Sequence, residues 1–101
     1  MSNKITHIKI LKSNRNIKKL KAIFFDENLK RIKTTHFGAK GMSDYTIHKD
    51  KKRKERYLKR HIKNENWDDF TSAGSLSRYI LWGEPTLRES IIKFKKRFKL
   101  K

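Results

Sequence analysis

Five residues around a glycine-containing loop hold the most concentrated acid–base chemistry in the chain: His36, Lys40, Asp44, Tyr45 and His48, with Gly38 and Gly41 among them. An imidazole base beside a carboxylate and basic groups is the equipment of metal-assisted phosphodiester hydrolysis. A plainer assignment accounts for the same residues. The glycines allow tight backbone turns, Tyr45 packs, Asp44 or Thr46 caps the helix that follows, and the two histidines make partly exposed hydrogen bonds. We adopt the plainer assignment. It leaves the loop able to hold a phosphate passively, because backbone N–H groups at a helix start favour anions. The chain has no Walker A loop, no zinc-ligand spacing and no His-Glu-x-x-His. Its zero Cys remove disulfides and thiolate metal sites. No catalytic residue, cofactor or metal is expected.

A second pattern, His61-x-Lys63-x-x-x-x-Asp68 with Gly74-Ser75 downstream, has the spacing of the phospholipase D/nuclease signature. In that superfamily the His attacks phosphorus and the Lys binds the phosphoryl oxygens. The departures decide against it. Tyr57-Leu58-Lys59-Arg60 precedes His61 in a helical pattern, where the family has an apolar strand. The spacing to Gly74-Ser75 is one residue short, and Arg78 stands where the family has Asn. A chain of 101 residues is also short for that fold.

Charge is the stronger signal. The chain has 28 Lys and Arg against 10 Asp and Glu, a formal net charge of +18. Three blocks hold 22 of the 28: residues 1–22, residues 49–63, and residues 93–101. A small body so charged repels itself, and a polyanion relieves the repulsion while releasing condensed counterions. The block at 49–63 offers Lys49, Lys52, Arg53, Arg56, Lys59, Arg60 and Lys63. The loop adds Lys40, and the last block adds Lys93, Lys96 and Arg97. These eleven are the expected nucleic-acid-binding residues. The helix centre lacks Asn and Gln base readers, so phosphate contacts without sequence specificity are expected. Tyr45, Trp67 and Trp82 could stack on single-stranded bases, although core packing suits Trp82 better and loop anchoring suits Trp67.

The elements that must position these residues follow from periodicity. Six Phe, three Tyr and two Trp supply a small core despite a hydrophobic fraction of 35%. Residues 5–11 read as a strand, and residues 19–26 and 29–37 form the clearest hairpin, with turn chemistry in Asp26-Glu27-Asn28. From about residue 46 the pattern is helical: 49–63, then 72–82 with Ala73, Leu76 and Ile80 inward, then a last helix opened by Thr86 and Glu89 as a capping box. In that last helix Leu87, Ile91, Phe94 and Phe98 form an apolar stripe, suited to a core or a dimer seam. The expected architecture is α+β, an N-terminal antiparallel β-meander or hairpin followed by about three helices that cover one sheet face. It is read as one domain over residues 1–101: a basic N-terminal segment 1–18, the hairpin 19–38, a helical part 46–98 and a basic tail 99–101. Strand two places Leu20 and Phe24 on one face and Ile23 and Phe25 on the other. Either the helices wrap further or a second chain covers the open face.

Two stretches carry a resemblance, with Arg56–His61 and Asn64–Trp67 between them. One is His36–Asp50, and the other is Ser72–Trp82 followed by Pro85-Thr86-Leu87. In order and spacing they resemble a small basic protein family of nucleocytoplasmic large DNA viruses, the giant viruses. The resemblance covers roughly residues 19–98 and implies a viral setting without implying a chemistry. The expected function is sequence-independent binding of nucleic acid, DNA before RNA, in organising or packaging a viral genome. Two alternatives stay open: a virion protein that bridges other proteins, and a phosphodiester-cleaving nuclease. Expected partners are nucleic acid, a second copy of the chain in a homodimer, and virion core or capsid proteins, with no membrane. The expected location is the virion and the viral factory of the host cell, without secretion.

Overall fold

The structure is a computed structural model that describes residues 4–101. It is α+β. Strands β1 (Ile5–Lys12), β2 (Lys18–Asp26) and β3 (Arg31–Ala39) form an antiparallel sheet in the order β1-β2-β3. Four helices follow: α1 (Tyr45–His48), α2 (Lys51–His61), α3 (Ala73–Leu76), which continues as a π turn over Ser77–Leu81, and α4 (Leu87–Arg97).

Alternation along β2 decides which face is covered. Ala22 and Phe24, both fully buried, join Ile8 from β1 and Phe37 from β3. Leu76, Ile80, Leu81, Phe94 and Leu100 complete this core from the helical side. Ile23 points the other way and stays outside that cluster, yet it is only 5% exposed. Lys9 and Thr34 flank it across the strands, and a lysine stem shields apolar surface well. Phe25 is half-buried in the next row. The register shifts on both sides of that row, between Ile5 and His7 in β1 and opposite Phe24 and Phe25 in β3, so the sheet end is bulged there.

Element boundaries moved for local reasons. The β2–β3 turn is longer than expected, four residues instead of two: the Asp26 carboxylate accepts from the N–H groups of Asn28 and Lys30, and Leu29 turns left-handed at φ 61°. β3 therefore starts at Arg31 rather than residue 29. It then runs through Gly38 at φ 80°, a left-handed conformation that suits glycine, and ends at Ala39. The helix expected over 49–63 starts at Lys51. Lys49 closes α1 at φ 56°, and Asp50 caps α2 by accepting from the N–H groups of Lys52 and Arg53. The helix expected over 72–82 divides into α3 and the π turn. Leu76 and Ile80 face inward as expected, but Ala73 is exposed, and the extra residue of the π turn brings Leu81 into the core as well. Thr86 caps α4 by accepting from the N–H of Glu89. The apolar stripe of α4 lies on the core through Ile91, Phe94 and Phe98, while Leu87 at the helix start is exposed.

Residues 99–101, expected as a basic tail, are packed. Leu100 is buried, the N–H of Lys101 donates to the Thr6 carbonyl, and the N–H of Ile8 donates to the Lys101 carbonyl. Residue 101 thus covers part of the outer edge of β1. Among the described residues, no helix is long and apolar enough to cross a membrane.

Candidate nucleic-acid interface

Helix α2 positions most of the expected binding residues. Lys52, Arg53, Arg56, Lys59 and Arg60 are all exposed on it, with Lys51 beside them. Lys49 precedes the helix and Lys63 follows it, both exposed. The helix buries no residue fully. It is held from below by the half-buried Tyr57 and Leu58. Its capping carboxylate, Asp50, is held below the usual range by the Arg53 N–H first and the Lys52 N–H next. Lys40 is exposed on the loop before α1, and Lys93, Lys96 and Arg97 are exposed on α4.

The acids do not neutralise this charge. Among the described residues, which include every Lys and Arg of the chain, Lys19 pairs with Asp44 at 2.6 Å and Lys93 with Glu84 at 2.8 Å. No other Lys or Arg pairs with a carboxylate, so 26 of the 28 cationic side chains, or 28 less these two, lack an ion pair.

Two cavities show how the three charge blocks meet. The first, of about 300 Å³, joins Lys19 of the first block to Arg60 of the second. Met42, Leu81, Tyr57 and Trp82 give it apolar walls. Its lysine is already neutralised by the buried Asp44. The second, a cleft of about 110 Å³, joins Lys54 of the second block to Lys93 and Arg97 of the third, with Arg78 and Glu84 between them. Block two therefore shares one cavity with Lys19 of the first block and one with Lys93 and Arg97 of the third.

The three aromatic residues weighed for base stacking, Tyr45, Trp67 and Trp82, are engaged within the protein. Tyr45 is buried, with the Lys54 ammonium 4.9 Å from its ring centre. Trp82 stacks on Tyr57 at 4.3 Å, the rings 4° from parallel, and Tyr57 in turn lies 4.3 Å from His61. Burial, and then the charge of Glu65, push the Tyr57 hydroxyl up to about 12, so it stays neutral in this stack. Trp67 faces the Arg78 guanidinium at 5.2 Å.

Several of the residues weighed for hydrolysis have a local partner. His36 shares a 2.8 Å hydrogen bond with the Ser13 hydroxyl. Asp44 caps α1 through the Thr46 N–H and pairs with Lys19. The His48 Nδ1 accepts from the Asp50 N–H. His61 Nδ1 lies 3.7 Å from Glu65, while Asp68 is exposed in the following loop. Three cations went unnoticed in sequence as site residues: Lys19, Lys54 and Arg78. The first two lie inside recognised charge blocks and gave no sign of turning inward. Arg78 reaches the cleft from the π turn, which apolar periodicity does not reveal.

Comparison with known proteins adds a family without a chemistry. Residues 8–61, which run from β1 to the end of α2, match the Family of unknown function (DUF5754). No curated protein and no solved structure matches the chain. The matched segment is just over half of the 101 residues and holds the whole β2–β3 hairpin and the basic helix, so the chain belongs to the DUF5754 family.

Proposed function

We propose that this protein binds nucleic acid without sequence preference, through phosphate contacts centred on α2, and that it organises or packages DNA. The 26 cationic side chains without a carboxylate partner are the observation that supports this most directly. The cleft in which Lys54 of the second block meets Lys93 and Arg97 of the third supports it further. Exposed lysines and arginines on a helix deliver sequence-independent affinity, because each phosphate neutralised releases counterions. The giant-virus resemblance supports a viral genome as the DNA in question. On this reading the protein is a binding module and not an enzyme: His36, Asp44 and His48 are committed to caps and local hydrogen bonds.

Fluorescence anisotropy with labelled duplex, single strand and RNA, titrated at a series of salt concentrations, tests this. With about six phosphates contacted, duplex affinity drops ~10³-fold between 50 and 200 mM salt. Absence of binding to all three at the lowest salt overturns the proposal. Plasmid incubated with Mg²⁺, with Mn²⁺ and with EDTA stays intact on this reading; nicking that EDTA abolishes would restore the nuclease alternative.

A further inference from the structure

Arg78 is half-buried on the π turn, and its surroundings do not account for its charge. The guanidinium carbon lies 5.2 Å from the ring centre of Trp67 and 4.9 Å from that of Tyr79. Among the described residues no carboxylate pairs with it, and its buried Nε finds no hydrogen-bond acceptor. Lys54 from α2 and Lys93 and Arg97 from α4 line the same cleft. Glu84 is the acid in the lining, and Lys93 already holds it at 2.8 Å.

Four cations around one engaged acid repel one another, more so where water is partly excluded. Burial, and then the charge of Arg78, push the Lys54 ammonium below the usual lysine range. Burial lowers Arg78 in the same direction. If Arg78 served only to fill space between two rings, an apolar side chain would do so without that cost. A guanidinium held by aromatic faces instead presents a fixed planar fork, which suits an oxyanion that can accept two parallel hydrogen bonds. The cleft, of about 110 Å³, exceeds the ~15 Å³ that a single water needs and has room for a phosphate group. The larger cavity beside Arg60 is a weaker anion site, because Asp44 already satisfies its lysine.

We propose that the cleft between α2, the π turn and α4 is a seat for one phosphate group of a polynucleotide. Arg78 makes the directional contacts, and Lys54, Lys93 and Arg97 supply charge. The proposal rests on the nucleic-acid reading for the source of the phosphate, but the seat itself is a statement about Arg78.

Titration of the full chain with inorganic phosphate against potassium chloride at matched ionic strength, followed by NMR of the arginine Nε–H groups, tests the seat. The expected result is a saturable shift of the Arg78 signal with phosphate and none with chloride. Arg78→Lys keeps the charge but loses the fork, and weakens phosphate binding about tenfold or more. Arg31→Lys, exposed at the start of β3 and outside the binding residues named above, leaves it unchanged. If Arg78→Lys lowers the melting temperature, the exposed Arg97→Gln serves in its place and weakens phosphate binding several-fold. Absence of a saturable shift overturns the seat.

A pair of oligonucleotides, with a 5′-phosphate and with a 5′-hydroxyl, identifies the source. Tighter binding of the first marks a terminal phosphate. Equal binding, weakened in both by Arg78→Lys, marks an internal phosphodiester. Oligonucleotide binding untouched by Arg78→Lys removes the seat and leaves the nucleic-acid reading standing. Saturable phosphate binding at Arg78 in a protein that binds no oligonucleotide does the reverse.

Discussion

Single residues carry some of the sharpest consequences. Gly83 follows the π turn, and a Cβ added there would lie 2.1 Å from the Tyr79 carbonyl oxygen. Backbone cannot swing away as a side chain can, so Gly83→Ala is expected to cost about 1–3 kcal/mol, read as a lower midpoint in urea unfolding. At Gly74 the same addition meets the tip of Glu65, a flexible side chain that can move, and the effect should be small. Leu29 offers the opposite opportunity. It is left-handed at φ 61° and 63% exposed, so its side chain contributes little burial. Leu29→Asn, a residue that tolerates this conformation, should stabilise the protein by about 0.5–1 kcal/mol. His36 is lowered from its ordinary value of 6.5 by partial burial first, then by the charges of Arg15, Lys21 and Lys18. The folded state therefore binds this proton less readily than the unfolded chain, and stability falls as the pH drops below about 6.5. His36→Asn should flatten that part of the pH profile. DNA resting on the first charge block would offset those three charges and raise the His36 value, which a titration of its ring signals detects. In the sequence these residues were legible as types. Of the two caps the sequence offers, Asp44 and Thr46, Asp44 is the one that caps α1, and Gly38, expected as a turn glycine, lies within β3. What could not be read was orientation, and Lys54 is the example. Its neighbours Arg53 and Arg56 face water, while its own ammonium reaches inward to the Gly83 carbonyl at 2.6 Å.

At the level of elements, the sheet was read more accurately than the helices, and the cause is physical. Strand alternation is set by a period of two, and β2 shows it plainly in Ala22 and Phe24 against Ile23 and Phe25. The second helix broke the rule of 3.6, because one extra residue in the π turn carries Leu81 into the core beside Ile80. Helix α2 departs in another way. Its hydrophobic side is Tyr57, Leu58, His61 and Ile62, yet Ile62 just beyond its end is 59% exposed and no residue of the helix is fully buried. It is a helix held by a few aromatic contacts and opposed by its own charge. Its amides should exchange with deuterium faster than those of β2 and α4, whose residues pack into the core. Addition of DNA should slow exchange in α2 selectively. Equal protection in α2 and α4 without DNA would show that α2 is more firmly seated than its burial implies.

The whole molecule is slightly elongated, 42 × 27 × 25 Å with a radius of gyration of 13.5 Å. Its length is that of about twelve base pairs at 3.4 Å each, so one copy should occlude no more than about that many. A footprint twice as long in a binding-density titration would indicate binding as a dimer. Net charge acts at the same scale. With +18 on 101 residues, self-repulsion opposes the compact state, and raising potassium chloride from low to moderate concentration should raise the melting temperature. A melting temperature that falls over that range would contradict the self-repulsion. The junction of Lys101 with Thr6 and Ile8 also has a bearing on the order of folding. It ties the first strand to a residue almost the full chain away, and such closures are slow because they cost loop entropy before any contact forms. On a ribosome the β2–β3 hairpin can assemble while the rest is being made, but the outer edge of β1 stays partly open until residue 101 emerges. Until then the growing chain presents an unfinished sheet, and a polyanion nearby would meet it before the core is sealed.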